Sequence, residues 1–311
     1  MHGLSGAITF FPRAKLGLFG RVVALLGVLA LVSACATSSG PSSADFLAPQ
    51  PPGPPTKYSA LVIDASTGVM LYQSEPNARR YPASLTKMMT LFLLFEAMDQ
   101  GRASTTTEIP VSANAARQPP SKMGIKAGQT IDVESAILAL TVKSGNDVAV
   151  AVAEFLGGTE EEFAAQMTAR ARALGMSSTV FRNASGLPDD EQYTTARDMA
   201  LLGMALRRNF PQHFHYFSNR DFMFRGRMVR GHNDLIGRVE GVDGIKTGYI
   251  KASGYNIVTS VTRGSKRLII VVMGADSARA RSSHVEELIE RYMGGQNNPS
   301  RNLLSSMSAV E

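Results

Sequence analysis

The chain has 311 residues, 44% of them hydrophobic, with 32 Lys and Arg against 26 Asp and Glu and a formal charge of +6. That apolar content supplies a core and excludes a globally disordered chain. The positive excess is scattered, without the basic stripe or aromatic ladder that nucleic-acid binding needs, so it reads as solubility charge with mild attraction to anionic polymers.

The first 36 residues stand apart from the fold. Arg13, Lys15 and Arg21 precede an almost wholly apolar stretch, residues 22–32, and the small residues Ser33, Ala34, Cys35 and Ala36 follow. That order is a secretory signal. The apolar stretch is shorter than the about 20 residues that a membrane span takes. The single cysteine lies at this junction, and two processing routes fit it. Val32-Ser33-Ala34-Cys35 resembles a bacterial lipobox, which would make Cys35 a lipidated first residue and a membrane anchor; Ala34-Cys35-Ala36 fits ordinary cleavage after Ala36. Either route predicts a periplasmic or envelope location for a body with no disulfide. Residues 37–56, with five closely spaced prolines from Pro49 to Pro55, read as a semi-rigid tether.

A folded domain is expected over residues 57–295. Runs 58–64 and 69–73 are β-rich and joined by Ala65-Ser66-Thr67-Gly68, a hairpin signal. Helical patterns follow at 84–100, from the cap Asp132 through Leu140, at 147–156, at 160–174 and at 195–208, so the chain from about 100 to 210 is expected to be largely helical. The period then changes. β-branched runs 255–262 and 267–274 flank Arg263-Gly264-Ser265-Lys266, a second hairpin, and a last helix is expected over 280–293. Residues 296–311 read as a disordered tail. Strands at both ends with helices between predict an α/β (α+β) domain, an antiparallel sheet flanked by helices with an inserted, mostly helical lobe.

Three short motifs punctuate this order: Ser84-Leu85-Thr86-Lys87, Ser144-Gly145-Asn146 and Lys246-Thr247-Gly248. Alone, each is ordinary: a helix start, a turn before a helix, a strand end. Together they supply a nucleophile, two amines, a second hydroxyl and an amide, the parts of acyl transfer through a serine ester. Lys87, three residues from Ser84, shares its helical face and would take its proton. It must be neutral to do so, and burial beside a second cation, Lys246, would lower its pKa. Ser144 would relay the proton to the leaving amine, and Asn146 would orient Lys87. Backbone N–H groups of Ser84 and Tyr249 are the natural donors to the tetrahedral oxyanion. Gly248 would let an extended peptide lie along its strand. No metal-ligand spacing or phosphate loop is evident, and no cofactor is expected.

These motifs, with the approach from Asn77 to Lys87, the Asp147 that follows Asn146, the segments 181–187 and 195–200, and Gly254-Tyr255-Asn256, resemble the D-alanyl-D-alanine carboxypeptidase family of low-molecular-mass penicillin-binding proteins. The resemblance covers about residues 58–293. It implies a β-lactamase/transpeptidase-like fold and a serine peptidase that removes the last D-alanine from peptidoglycan stem pentapeptides, with β-lactam antibiotics as inhibitors. By the same resemblance, Thr247 and Arg281 would hold the substrate's terminal carboxylate. His232 stands where relatives often carry arginine, and would be the weaker anchor unless protonated. Many relatives continue into a β-rich second domain and a membrane-docking helix, which the short stretch after 293 is not expected to provide. A β-lactamase reading would need a glutamate for deacylation, and no Glu-x-x-x-Asn element lies between Asn146 and Lys246. A DD-endopeptidase or transpeptidase shares the motifs, and a non-catalytic wall-binding module would not need the intact serine and lysine.

Overall fold

The computed structural model describes residues 57–293. The expected leader, the tether, Cys35 and the expected tail lie outside the described residues.

In chain order the elements are strands β1 (Ser59–Asp64) and β2 (Met70–Ser74), then a 3-10 turn (Ala83–Thr86) running into helix α1 (Lys87–Asp99). The inserted lobe holds β3 (Glu108–Pro110), α2 (Ala113–Arg117), β4 (Thr130–Asp132), α3 (Val133–Leu138), α4 (Asn146–Gly157) and α5 (Glu160–Ala173). Helix α6 (Ala196–Asn209) returns to the sheet, followed by the hairpin β5 (Asp221–Phe224) and β6 (Arg227–Arg230). Strands β7 (Val242–Ile250), β8 (Gly254–Arg263) and β9 (Lys266–Ala275) and helix α7 (Ala278–Met293) complete the fold.

The main sheet has five antiparallel strands in the order β2-β1-β9-β8-β7, so the two ends of the domain meet where β1 pairs with β9. Alternation along these strands explains why the sheet is covered on both faces. On β9, Ile269, Val271 and Met273 join the core shared with the helical lobe, while Leu268, Ile270 and Val272 join a second core under α7. On β1, Leu61 and Ile63 face the first core and Ala60 and Val62 the second. A period of two sends neighbours to opposite faces, so a strand apolar at every position must be buried on both. Helix α7 contributes Val285, Leu288 and Ile289 to the second core at helical spacing.

The helices begin where their caps sit. Asp132 accepts from the Ser135 N–H at 2.8 Å, Thr159 from Glu162 at 3.1 Å and Thr195 from Asp198 at 3.0 Å. Each satisfies an N–H that the helix itself leaves without a partner. Two expectations change. Ser84 lies in the 3-10 turn, one step before the α-helix rather than inside it. The segment from 100 to 210 also contains the short β3–β4 pair and long extended stretches, because three-residue strands with Pro110 on an edge carry no periodic signal. The β5–β6 hairpin, absent from the sequence-based expectations, turns at Arg225-Gly226, both at positive φ (47° and 76°) as a tight two-residue turn requires, with Arg where Asn or Asp is the usual residue. The Gly231 N–H donates to the Arg220 carbonyl at 2.9 Å and closes the base of that hairpin.

Candidate active site

A cleft of about 420 Å³ opens between the edge of the main sheet and the helical lobe. Ser84, Ser144, Asn146, His232, Thr247, Gly248, Tyr249 and Arg281 all line it. Lys87 is fully buried behind Ser84, and Lys246 is 2% exposed. Thus the three motifs, far apart in the chain, converge on one cleft.

Two strained residues set the shape of this site. Ala83, just before Ser84, has φ +49°, and Ser144 is left-handed at φ +63°. Such φ values are uncommon outside glycine and persist where surrounding structure holds them. The Ala83 carbonyl lies against Gly186, where an added Cβ would overlap it. Asn256 of β8 donates from Nδ2 to the Tyr81 carbonyl at 3.0 Å and accepts from the Gly274 N–H at 2.9 Å, tying the approach of the serine to the sheet.

Gly248 has a different reason from the one expected. Its missing side chain makes room for the serine turn: a Cβ there would lie 3.0 Å from the Ser84 nitrogen and 3.2 Å from the Pro82 carbonyl. Strand β7 is nonetheless the sheet's edge strand, and Thr247 to Ile250 border the cleft. An edge strand offers unpaired backbone groups to an extended ligand. Tyr249 is 52% exposed and its ring lies 4.3 Å from that of Tyr255.

The Lys87 amine has three close polar neighbours. They are Ser84 Oγ at 3.1 Å, Asn146 Oδ1 at 2.8 Å and the Ser185 carbonyl. The Asn146 amide is oriented by its other end, since Nδ2 donates to the Pro119 carbonyl at 2.9 Å. Two of the three neighbours can only accept. A neutral amine has two N–H donors and one lone pair, so the lone pair is left for the Ser84 hydroxyl. Burial, and then the charge of Lys246, push the Lys87 pKa well below the lysine range; Asp147 and Glu160 oppose this. Burial, with Arg281, lowers Lys246 to about 7. The site can therefore hold one neutral and one cationic lysine near neutral pH.

Arg281, at 3% exposed, is no surface residue. Its Nη2 donates to Asp234 Oδ1 at 3.1 Å and Ser282 Oγ at 2.9 Å. Partial burial would raise the Asp234 carboxyl, but the Ser282 hydroxyl and Arg281 outweigh this and hold it below its ordinary value. His232 sits exposed at the rim. Crowding by the cleft walls, then the charges of Lys246, Lys143 and Arg281, lower its pKa. It is neutral at neutral pH and brings no charge to the rim.

Sequence reasoning gave no role to several residues that build this site. Ser185 supplies a carbonyl to Lys87, and Asn183 Oδ1 fixes its loop by accepting from Gly186 N–H at 2.7 Å. Asp147 accepts from the Met123 and Gly124 N–H groups at 3.0 and 2.8 Å, holding the loop whose Pro120 and Ser121 line the cleft. Asp147 directly follows Asn146, which was the available signal; Pro119-Pro120-Ser121 marks a loop, but nothing local says that this loop meets the cleft.

Fold and cleft together define the class of penicillin-binding and transpeptidase-fold proteins. Penicillin-binding protein 5 from Haemophilus influenzae superposes with a TM-score of 0.72 at 33% identity, covering 78% of this chain and 72% of that one. Penicillin-binding protein D2 from Listeria monocytogenes, solved in a cefotaxime-bound form, gives 0.69 at 31%, covering 77% and 98%. The chain belongs to the peptidase S11 family, D-alanyl-D-alanine carboxypeptidases, whose model matches residues 48–277. D-alanyl-D-alanine carboxypeptidase DacA of Escherichia coli K12 is 36% identical over 238 residues, 74% of this chain and 59% of that relative. The chain thus spans about three fifths of the length of the curated relatives it matches.

Proposed function

We propose that this chain is a serine D-alanyl-D-alanine carboxypeptidase of the bacterial envelope, acting on peptidoglycan stem pentapeptides and acylated by β-lactams. One observation carries the reading: two acceptors saturate the N–H groups of a neutral Lys87 and leave its lone pair for Ser84. Ser84 Oγ attacks the carbonyl of the penultimate D-alanine as its proton passes to Lys87. N–H groups of Ser84 and Tyr249 receive the oxyanion. As the C–N bond breaks, the proton reaches the leaving D-alanine amine through Ser144, whose buried hydroxyl has no partner among the described residues. Water then attacks the ester, returning a proton to Ser84 and releasing the shortened stem. Thr247 and Arg281, with His232 at the rim, hold the terminal carboxylate of the substrate. Membership of the family and its relatives' names support the substrate; the cefotaxime-bound relative supports the inhibitor. Among the described residues no helix is long and apolar enough to cross a membrane. The envelope location rests on the leader reading.

The test incubates the protein with a synthetic stem pentapeptide and identifies products by mass. Release of free D-alanine is expected, with Ser84→Ala inactive and unlabelled by fluorescent penicillin. Arg281→Ala should lose at least ~10-fold in pentapeptide kcat/KM, since an unpaired terminal carboxylate costs about 1.5–3 kcal/mol. An equally bright penicillin band on Ser84→Ala would sink the assignment.

A further inference from the structure

A second cavity, about 410 Å³, lies next to the cleft, and His232 lines both. Arg220 and Arg230, from the base of the β5–β6 hairpin, form one wall, with Asp221, Asn233 and Asp234 around them. Asp234 is the residue that holds Arg281, so this cavity adjoins the proposed carboxylate anchor on the leaving-group side of the cleft. Among the described residues neither Arg220 nor Arg230 pairs with a carboxylate, although Asp221 lies directly opposite Arg230 in the strand register. Asp234 is already engaged by Arg281, Arg238 and Ser282. Two guanidiniums therefore stand against one uncommitted carboxylate. That balance suits a single carboxylate rather than a densely charged polyanion. Asn233 adds a buried Nδ2 that has no partner among the described residues, while its Oδ1 accepts from Leu235 N–H at 3.2 Å. A buried donor left unsatisfied costs stability, and is uncommon where no ligand uses it.

From this juxtaposition we infer that the Arg220–Arg230 cavity is a subsite for a carboxylate on the second stem peptide of cross-linked peptidoglycan. The inference rests on the carboxypeptidase reading for the direction of the substrate. A lone D-alanine leaving group ends at Arg281 and cannot reach the cavity. When the leaving residue instead belongs to a second stem, its chain continues past His232, and a carboxylate further along it meets the two guanidiniums. Cleavage there is the same acyl transfer, with the second stem's amine as the leaving group, protonated as D-alanine would be.

The test measures binding by calorimetry to the full chain carrying Ser84→Ala, which cannot turn over either ligand. The probes are a synthetic stem pentapeptide and a synthetic cross-linked stem dimer. The dimer is expected to bind ~10-fold more tightly at low salt, an advantage that shrinks as salt screens the exposed arginines. Adding Arg220→Gln and Arg230→Gln should abolish the advantage and leave pentapeptide binding, melting temperature and, with Ser84 restored, penicillin labelling unchanged. Equal affinities, no detectable dimer binding, or an advantage that survives in the double arginine variant would overturn the inference. Pentapeptide turnover by the parent is read separately: its absence alongside an intact dimer advantage would remove the carboxypeptidase reading and keep the subsite.

Discussion

Two lysines in one buried site cannot both carry charge cheaply, and the difference between them sets the pH behaviour. In the proposed mechanism Lys87 is the base, so acylation is expected to be lost on the acid side as it takes up a proton. Lys246 is lowered to about 7 by burial and by Arg281, so its cation disappears as pH rises through that value. If the Lys246 charge steadies the developing oxyanion and keeps Lys87 neutral, the rate falls on the alkaline side as well. The expected profile of fluorescent-penicillin acylation is therefore a bell whose alkaline limb lies near 7. Lys246→Gln should be slower throughout and lack that limb. A variant that retains it would assign the limb to another group. His232 at the rim adds little to this profile, because desolvation by the cleft walls, and then three nearby cations, lower its pKa and keep it neutral.

At the scale of elements, the catalytic turn is held by backbone contact more than by side chains. The 3-10 turn before α1 is pressed between β7 at Gly248 and the loop at Gly186. Gly186 has φ +84° and its Cβ position overlaps the Ala83 carbonyl, whereas Gly68 has φ +77° with open space around it. Both would suffer the strain of a left-handed alanine, about 1–2 kcal/mol. Only Gly186→Ala must also displace the nucleophile turn. Gly68→Ala is expected to lower the melting temperature modestly and leave penicillin acylation intact. Gly186→Ala should lower it further and cut the acylation rate by ~10²-fold or more, the scale of a lost oxyanion donor. Equal acylation by the two variants would show that the turn tolerates movement. The hairpins tell a related story. The β8–β9 pair was legible because its long β-branched runs flank a Gly-Ser turn, whereas the strands of β5–β6, four residues each, are too short for a pattern to stand out around Arg225-Gly226.

For the whole molecule, the sequence leaves open how the proposed leader is processed. That reading offers two routes, lipidation of Cys35 or cleavage after Ala36. Growth with labelled fatty acid should label the parent and not Cys35→Ser if the lipid route operates; an unlabelled, released parent would show cleavage after Ala36.

Composition and local pattern by themselves determined the helices with clear caps, the two sheet hairpins and the three motifs, because these depend on neighbours a few residues apart. The doubly buried strands were legible for the same reason: an unbroken β-branched run has no polar face to show solvent. Only the tertiary structure decided the rest. Ser84, Ser144 and Lys246 meet because β7 closes the sheet's edge against the serine turn, a contact between residues more than a hundred positions apart. The lowered lysine pKa values follow from burial, which no spacing encodes. The carbonyl of Ser185, the loop held by Asp147 and the Asp234 partner of Arg281 are likewise long-range hydrogen bonds between polar residues that look like solvated loop positions when read one after another.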